Sequence, residues 1–287
     1  MLNILVTGAT GNVGKEVVRL LTDQNCQIYA AVRNPEQAKK ILGDSSKISY
    51  VEFDFTNPNT FINAFRQTNK LFLVRPPALA NIREIAPALE AAKQAGIEQI
   101  VFLSIVGADR NRIVPHSKIE RYINQLEIGA TFLRAGFFMQ NLNTVHLEDI
   151  KTRGELFIPA GNGKTSFIDI RDIAAVAIRT LLENEHINKV YTLTGSEALR
   201  YYQVADIFTE VLNKPIKYTN PSLITFIFTM RSKGLPINFV LIMAVIYTTT
   251  RLGLASQITP ETEQLLNRPP LTMRQYIQDY QQYWLNS

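Results

Sequence analysis

The chain has one cysteine, Cys26, in 287 residues. A lone thiol cannot close an internal disulfide, so stability must come from a packed core, and a reducing compartment is implied. Cys26 opens an apolar run and reads as a small buried residue. Histidine is scarce too. His116, His146 and His186 are widely separated, no metal-ligand spacing joins them, and no metal is expected. Lysine/arginine blocks, zinc-finger spacing and aromatic–basic ribbons are all missing, so the formal charge of +5 does not point to nucleic acid. Nor is there a long apolar run. The segment Leu235 to Tyr247 falls short of the roughly 20 residues that span a bilayer. It reads as a buried helix or apolar lid. The first strand begins at the N-terminus, so no signal peptide and a cytoplasmic location are expected.

What remains is an ordinary globular composition, 46% hydrophobic and 19% charged. The length suits one large domain, or one domain with a smaller appendage. The informative stretch is Ile4-Leu5-Val6-Thr7-Gly8-Ala9-Thr10-Gly11-Asn12-Val13-Gly14-Lys15. An apolar strand runs into three glycines spaced three apart, then into a helical pattern (Val17, Val18, Leu20, Leu21). A helix N-terminus carries unpaired N–H groups and the positive end of the helix dipole, so it suits a pyrophosphate. Glycine lets the turn close and lets phosphate approach the backbone. Gly8, Thr10, Gly11, Asn12, Val13 and Gly14 are therefore candidate cofactor residues.

A second strand, Gln27 to Val32, ends at Arg33, about 20 residues past the glycines, where the ribose-reading residue is expected. A carboxylate there would bind the 2′-hydroxyl of NAD. A guanidinium suits the 2′-phosphate of NADP, so NADP(H) is the expected cofactor.

Strand and helix patterns then alternate. Further strands are expected at Ile48–Asp54, Lys70–Val74, Gln99–Ser104 and Ala130–Arg134, and helices at Glu36–Leu42, Pro58–Arg66, Asn81–Ala95 and Pro115–Leu126. Helical crossovers imply a doubly wound parallel sheet of the Rossmann type, an α/β fold. The later half is less regular, with strands at Gly154–Pro159 and Val190–Thr194 and helices at Arg171–Leu182 and Tyr201–Leu212. The expected division is a nucleotide-binding domain over 1–153, with return segments near 165–195, and a smaller, mostly helical substrate lobe over 196–287. Phe226 to Leu254 would cover a cleft, meet another subunit or simply form core.

These segments resemble the NmrA-like branch of the atypical short-chain dehydrogenase/reductase superfamily. That branch includes type-2 NADPH:quinone reductases, triphenylmethane-dye reductases and nitrogen-regulator sensors. The likeness rests on Thr7 to Gly14, Val32-Arg33-Asn34-Pro35, Asp54-Phe55, Pro115 to Glu120, Thr131 to Asn141, Phe167 to Ala174 and Asn267-Arg268-Pro269-Pro270. The resemblance implies that the Asp54 carboxylate takes the adenine amino group, beside the backbone of Phe55. It also implies that Val74, Arg75 and Pro76 line the nicotinamide-side ribose.

Short-chain reductases commonly use a tyrosine and a lysine four residues on, helped by a serine. Here His116 occupies the tyrosine position and Glu120 the lysine position, one helical turn apart on one face. His116 would donate a proton or hydrogen bond, with Glu120 tuning or orienting it. Ser104 ends a strand at the carboxyl edge and would touch the nicotinamide ribose or the substrate. Phe137, Phe138 and Asn141 would meet a flat apolar acceptor such as a quinone, enone, imine or dye. Asp169 and Asp172 do not read as an acid/base pair, and Asp172 is expected to start a helix. The expected activity is NADPH-dependent hydride transfer by a monomer or homodimer. A non-catalytic NADP(H) sensor is the alternative, since the tyrosine–lysine pair is missing. The same absence weighs against a third reading, a nucleotide-sugar epimerase.

Overall fold

The computed structural model describes residues 1–285. In chain order the first elements are β1 (Leu2–Thr7), α1 (Asn12–Leu21), β2 (Cys26–Val32), α2 (Pro35–Leu42), β3 (Ile48–Glu52) and α3 (Phe61–Phe65). Then come β4 (Lys70–Leu73), α4 (Ile82–Gln94), β5 (Gln99–Ile105), α5 (Pro115–Gln125) and β6 (Gly129–Ala135). The middle of the chain holds β7 (Phe137–Phe138), β8 (Glu155–Leu156), β9 (Lys164–Ile168), α6 (Ile170–Leu182) and β10 (Lys189–Leu193). After these follow β11 (Ala198–Arg200), α7 (Tyr201–Leu212), β12 (Lys217–Tyr218), α8 (Leu223–Ser232) and α9 (Ile237–Arg251). The last are α10 (Glu261–Leu266), α11 (Met273–Tyr280) and α12 (Gln282–Leu285).

The chain divides into two compact units. The first is Met1–Ala135, Ile170–Leu193 and Gln264–Asn267. It contains a seven-stranded parallel sheet in the order β10-β6-β5-β4-β1-β2-β3. The central strands are continuous apolar runs because helices cover both faces. Leu71, Leu73, Ile100 and Phe102 pack with Ile85, Leu89, Ile119 and Ile123 of α4 and α5. Helices α1 and α6 pack together. Chain order reverses between β1 and β4, which is where ligands bind in open sheets of this kind.

Local signals set the helix ends. Asn81 caps α4, accepting from Arg83 N at 3.1 Å while Glu84 reaches back to the Asn81 N–H, a reciprocal capping box. Asn34 caps α2 by accepting from Gln37 N, and Pro35 stands at its first position.

The second unit is Gly136–Asp169, Thr194–Glu263 and Arg268–Ser287, of which residues to 285 are described. It holds a three-stranded sheet in the order β11-β9-β7 and the pair β12-β8, besides its helices. The boundary therefore falls at Ala135 and not near 153, and the segments 170–193 and 264–267 return to the first unit. The reason is packing: Met139, Leu142, Ile150, Leu156 and Phe167 join a core with Tyr201, Phe208, Tyr247, Tyr276 and Trp284. The strand expected over 154–159 shrinks to Glu155–Leu156, and β7 lies where a loop is read from sequence. Both depend on partners distant in the chain, since β8 pairs with β12 and β7 with β9.

Candidate functional site

The glycine turn is built as its chemistry requires. Gly8 is left-handed at φ +61° and packs against Val74, whose Cβ would lie 3.2 Å from a Cβ on Gly8. Gly11 N donates to Gly8 O at 2.9 Å and closes the turn. Gly11 is the N-cap of α1 and supplies no side-chain bond, and the first turn carries no acid. The leading N–H groups of α1 are thus left without a side-chain cap, at the positive end of the dipole. Thr10, Gly11 and Asn12 are exposed beside them, whereas Val13 and Gly14 are buried. A Cβ on Gly14 would stand 2.2 Å from Gly8 O, so helix and strand meet backbone to backbone. This cradle fits a pyrophosphate.

The edges of the cradle come from the neighbouring strands. Arg33 is exposed just past β2. Asp54 follows β3, and its Oδ1 accepts from Thr56 N and Thr56 Oγ1, both at 2.8 Å. These bonds hold the Asp54 carboxyl below the usual carboxylate range, with a smaller contribution from the Arg33 charge. One oxygen therefore caps a turn. The other has no hydrogen bond among the described residues. The Phe55 ring is buried edge-on to Phe53 at 4.8 Å, so only its backbone is available to a ligand.

At the end of β4, Val74 N donates to the buried Thr7 hydroxyl at 2.8 Å, which ties this end to the glycine turn. Arg75 folds back along its own loop, where Nη1 donates to the carbonyls of Pro76, Pro77 and Leu79. Its Nε is buried without a partner among the described residues.

Glu120 is not available to orient His116. Its carboxylate is buried and clasped by Arg134: Nη2 to Oε2 at 2.7 Å and Nε to Oε1 at 3.1 Å. Ser104, also buried, donates its hydroxyl to Glu120 Oε1 at 2.5 Å. Ser104 and Arg134 sit opposite each other in the β5–β6 register, so this cluster fastens α5 to two strands. Ser104 and Glu120 form a structural brace, in place of the ligand contacts the sequence suggests. Arg134 is the residue that sequence reasoning missed. Its signal was an arginine ending an otherwise apolar strand, which requires a carboxylate nearby.

His116 lies in the first turn of α5, with its ring stacked 5.9 Å from Phe102. Burial, then the Arg75 charge, push its pKa down to about 4. The imidazole is neutral at pH 7 and cannot serve there as a charged proton donor. It retains one N–H for a hydrogen bond. Its Nδ1 is buried with no partner among the described residues. The charge that acts on His116 is therefore that of Arg75, while Glu120 is held by Arg134.

In the second unit, Phe137, Phe138 and Asn141 are half-buried. The Phe137 ring packs edge-on to Phe167 at 5.6 Å and lies 6.1 Å from Tyr247, so it is largely core. Asp169 accepts from Gln140 Nε2 at 2.8 Å, and Asp172 is buried inside α6. Neither supplies an open acid/base pair.

Among the described residues no helix is long and apolar enough to cross a membrane. The acidic–histidine group that meets metal-ligand distances is Glu183, Glu185 and His186, with both carboxylates exposed.

A doubly wound sheet with an open, glycine-lined helix N-terminus at its switch point defines a dinucleotide-binding protein of the Rossmann class. The chain belongs to the NmrA-like family, whose model matches residues 2–272. It is 30% identical over 277 residues to NAD(P)H azoreductase of Xenophilus azovorans, covering 95% of this chain and 96% of that protein. NADPH-dependent quinone oxidoreductase QOR2 of Escherichia coli, solved with NADPH, superposes with a TM-score of 0.87 at 26% identity over 96% of this chain and 99% of that one. Triphenylmethane reductase of Citrobacter sp., solved with NADP(H), gives 0.85 at 26% identity over 97% and 99%.

Proposed function

We propose that this chain is an NADPH-dependent reductase of small, flat, apolar acceptors: quinones, azo compounds, enones, imines or dyes. The observation that carries the reading is the uncapped, acid-free N-terminus of α1, held against Gly8 with room for no side chain at Gly14. Support for the class comes from the reductases to which the chain is similar.

NADPH, when bound, would supply a hydride. The backbone amides of α1 hold the pyrophosphate. Arg33 reads the 2′-phosphate, and the free oxygen of Asp54 takes the adenine amino group. The Val74–Pro76 backbone, stiffened by Thr7 and by Arg75, lines the far ribose. His116, kept neutral, offers a hydrogen bond to the acceptor heteroatom, and water provides the proton that accompanies the hydride. Positioning, and not a strong acid, supplies the rate.

The test is loss of NADPH absorbance over a panel of quinones, azo dyes, enones, imines and triphenylmethane dyes. Saturable turnover, much weaker with NADH, supports the proposal. Arg33→Asp should lower the NADPH-over-NADH preference by more than about tenfold, the worth of charge-assisted bonds to a phosphate. One observation favours a sensor without turnover: Ser104 and Glu120 are committed to a brace and His116 is neutral. Tight cofactor binding with no turnover across the panel would move the assignment to that reading.

A further inference from the structure

Helices α8 and α9 form a hairpin in the second unit, and they are apolar on two opposite sides. Their inner rows, Phe226 and Met230 on α8 and Val240, Met243 and Tyr247 on α9, lie in the core of that unit. A surface helix ordinarily turns polar residues to the other side. Here the outer rows are Ile224 and Phe228 on α8 and Leu241, Ile242 and Val245 on α9, continued by Leu252. Phe228 is 72% exposed, Val245 63% and Leu252 69%. Single exposed leucines need no explanation, but a continuous apolar face on two adjacent helices does.

Charge indicates what covers it. No Asp or Glu occurs between Glu210 and Glu261, while Lys214, Lys217, Arg231, Lys233 and Arg251 do. Lys233 is paired with Asp149, and Lys214 donates to the Lys151 carbonyl. Lys217, Arg231 and Arg251 are exposed and have no carboxylate partner among the described residues. Arg231 ends α8 three residues past Phe228, on the side of the outer row, whereas Arg251, at the end of α9, lies against the Gly161 turn. A second copy of the chain would lay this face, which carries Arg231 and no carboxylate, on its own likeness, an unfavourable isologous contact. An anionic lipid surface accepts both features, since the acyl boundary takes the apolar rows and the headgroups take the cations.

We propose that the α8–α9 hairpin seats this protein on the surface of an anionic lipid bilayer, lying in the interface without spanning it. The surface is defined independently of the reductase reading.

The test is flotation of the full chain with vesicles of phosphatidylcholine containing a minority of phosphatidylglycerol, and with pure phosphatidylcholine. The expected result is salt-sensitive binding to the anionic vesicles that is much weaker on the neutral ones. Arg231→Gln should lower partitioning roughly fivefold. Ile242→Ser with Val245→Ser should abolish it while leaving the melting temperature unchanged, because both side chains lie outside the core. No binding to the anionic vesicles overturns the proposal, as does binding that survives the double substitution. Sedimentation equilibrium separates the remaining occupant: a dimer lost in the double variant, with no vesicle binding, assigns the face to a second copy.

Discussion

Replacing Gly14 by alanine tests the glycine cradle most sharply. The new Cβ would lie 2.2 Å from Gly8 O, 2.8 Å from Gly8 C and 3.0 Å from Ala9 Cα. Ordinary contact starts at 3.4 Å, and all three atoms are backbone, so helix and turn must separate by about 1.2 Å. Overpacking of this kind costs about 1–3 kcal/mol. The displaced carbonyl is also the acceptor for Gly11 N, and losing that bond adds about 1 kcal/mol. At about 2–4 °C per kcal/mol for domains of this size, melting should fall by roughly 4–16 °C.

Gly11→Ala is the control. Its Cβ meets Gly8 O at 3.2 Å, and its backbone, φ −78° and ψ 168°, suits any residue. Free-protein melting should stay within about 2 °C of the parent, but the methyl crowds the anion cradle. NADPH at about a hundred times its Kd should raise parental melting by about 2.7 kcal/mol of linkage, or roughly 5–11 °C. Thermal melts with and without NADPH decide the matter. Both variants should lose the cofactor increment, and only Gly14→Ala should lose intrinsic stability. A full NADPH increment in Gly14→Ala would refute the assignment of the cradle.

Other perturbations probe the brace and the histidines. Arg134→Met strands a buried carboxylate and should cost about 3–5 kcal/mol in urea unfolding, whereas Arg134→Met with Glu120→Leu should cost much less. Equal losses in the two would dismiss the pair as a unit. His146 is fully buried, bonded to the Tyr247 hydroxyl at 2.5 Å, and burial pushes its pKa from 6.5 down to about 4. The unfolded chain binds the extra proton first, so stability should fall as pH drops from 6.5 towards 4, by up to about 3 kcal/mol for this group. The His146→Gln variant should show a flatter curve in that window, and an unchanged slope would exclude His146 as the source. For His116, turnover on any confirmed acceptor should show no ionisation near pH 6.5, and His116→Ala should lower kcat about fivefold or more. Full activity in His116→Ala would remove it from the reaction.

The glycine turn, the alternation of strands and helices through Ala135 and the arginine after β2 were all legible in the sequence. They are written in local terms: apolar periodicity, Gly and Asn at turns and caps, and the distance of about 20 residues from the glycine turn to Arg33. Local pattern could not assign residues 136–169 to a unit, because their core partners lie far onward in the chain, at Tyr201, Tyr247 and Tyr276. The candidate site divided in the same way. Spacing put His116 and Glu120 on one helical face, but strand register gave Glu120 to Arg134 and Ser104. Burial, which no spacing reports, left His116 neutral. The apolar composition of 223–254 was plain from the start, yet only packing separated its core row from the row that faces outward. Composition counts apolar residues, and tertiary contacts decide which of them water can reach.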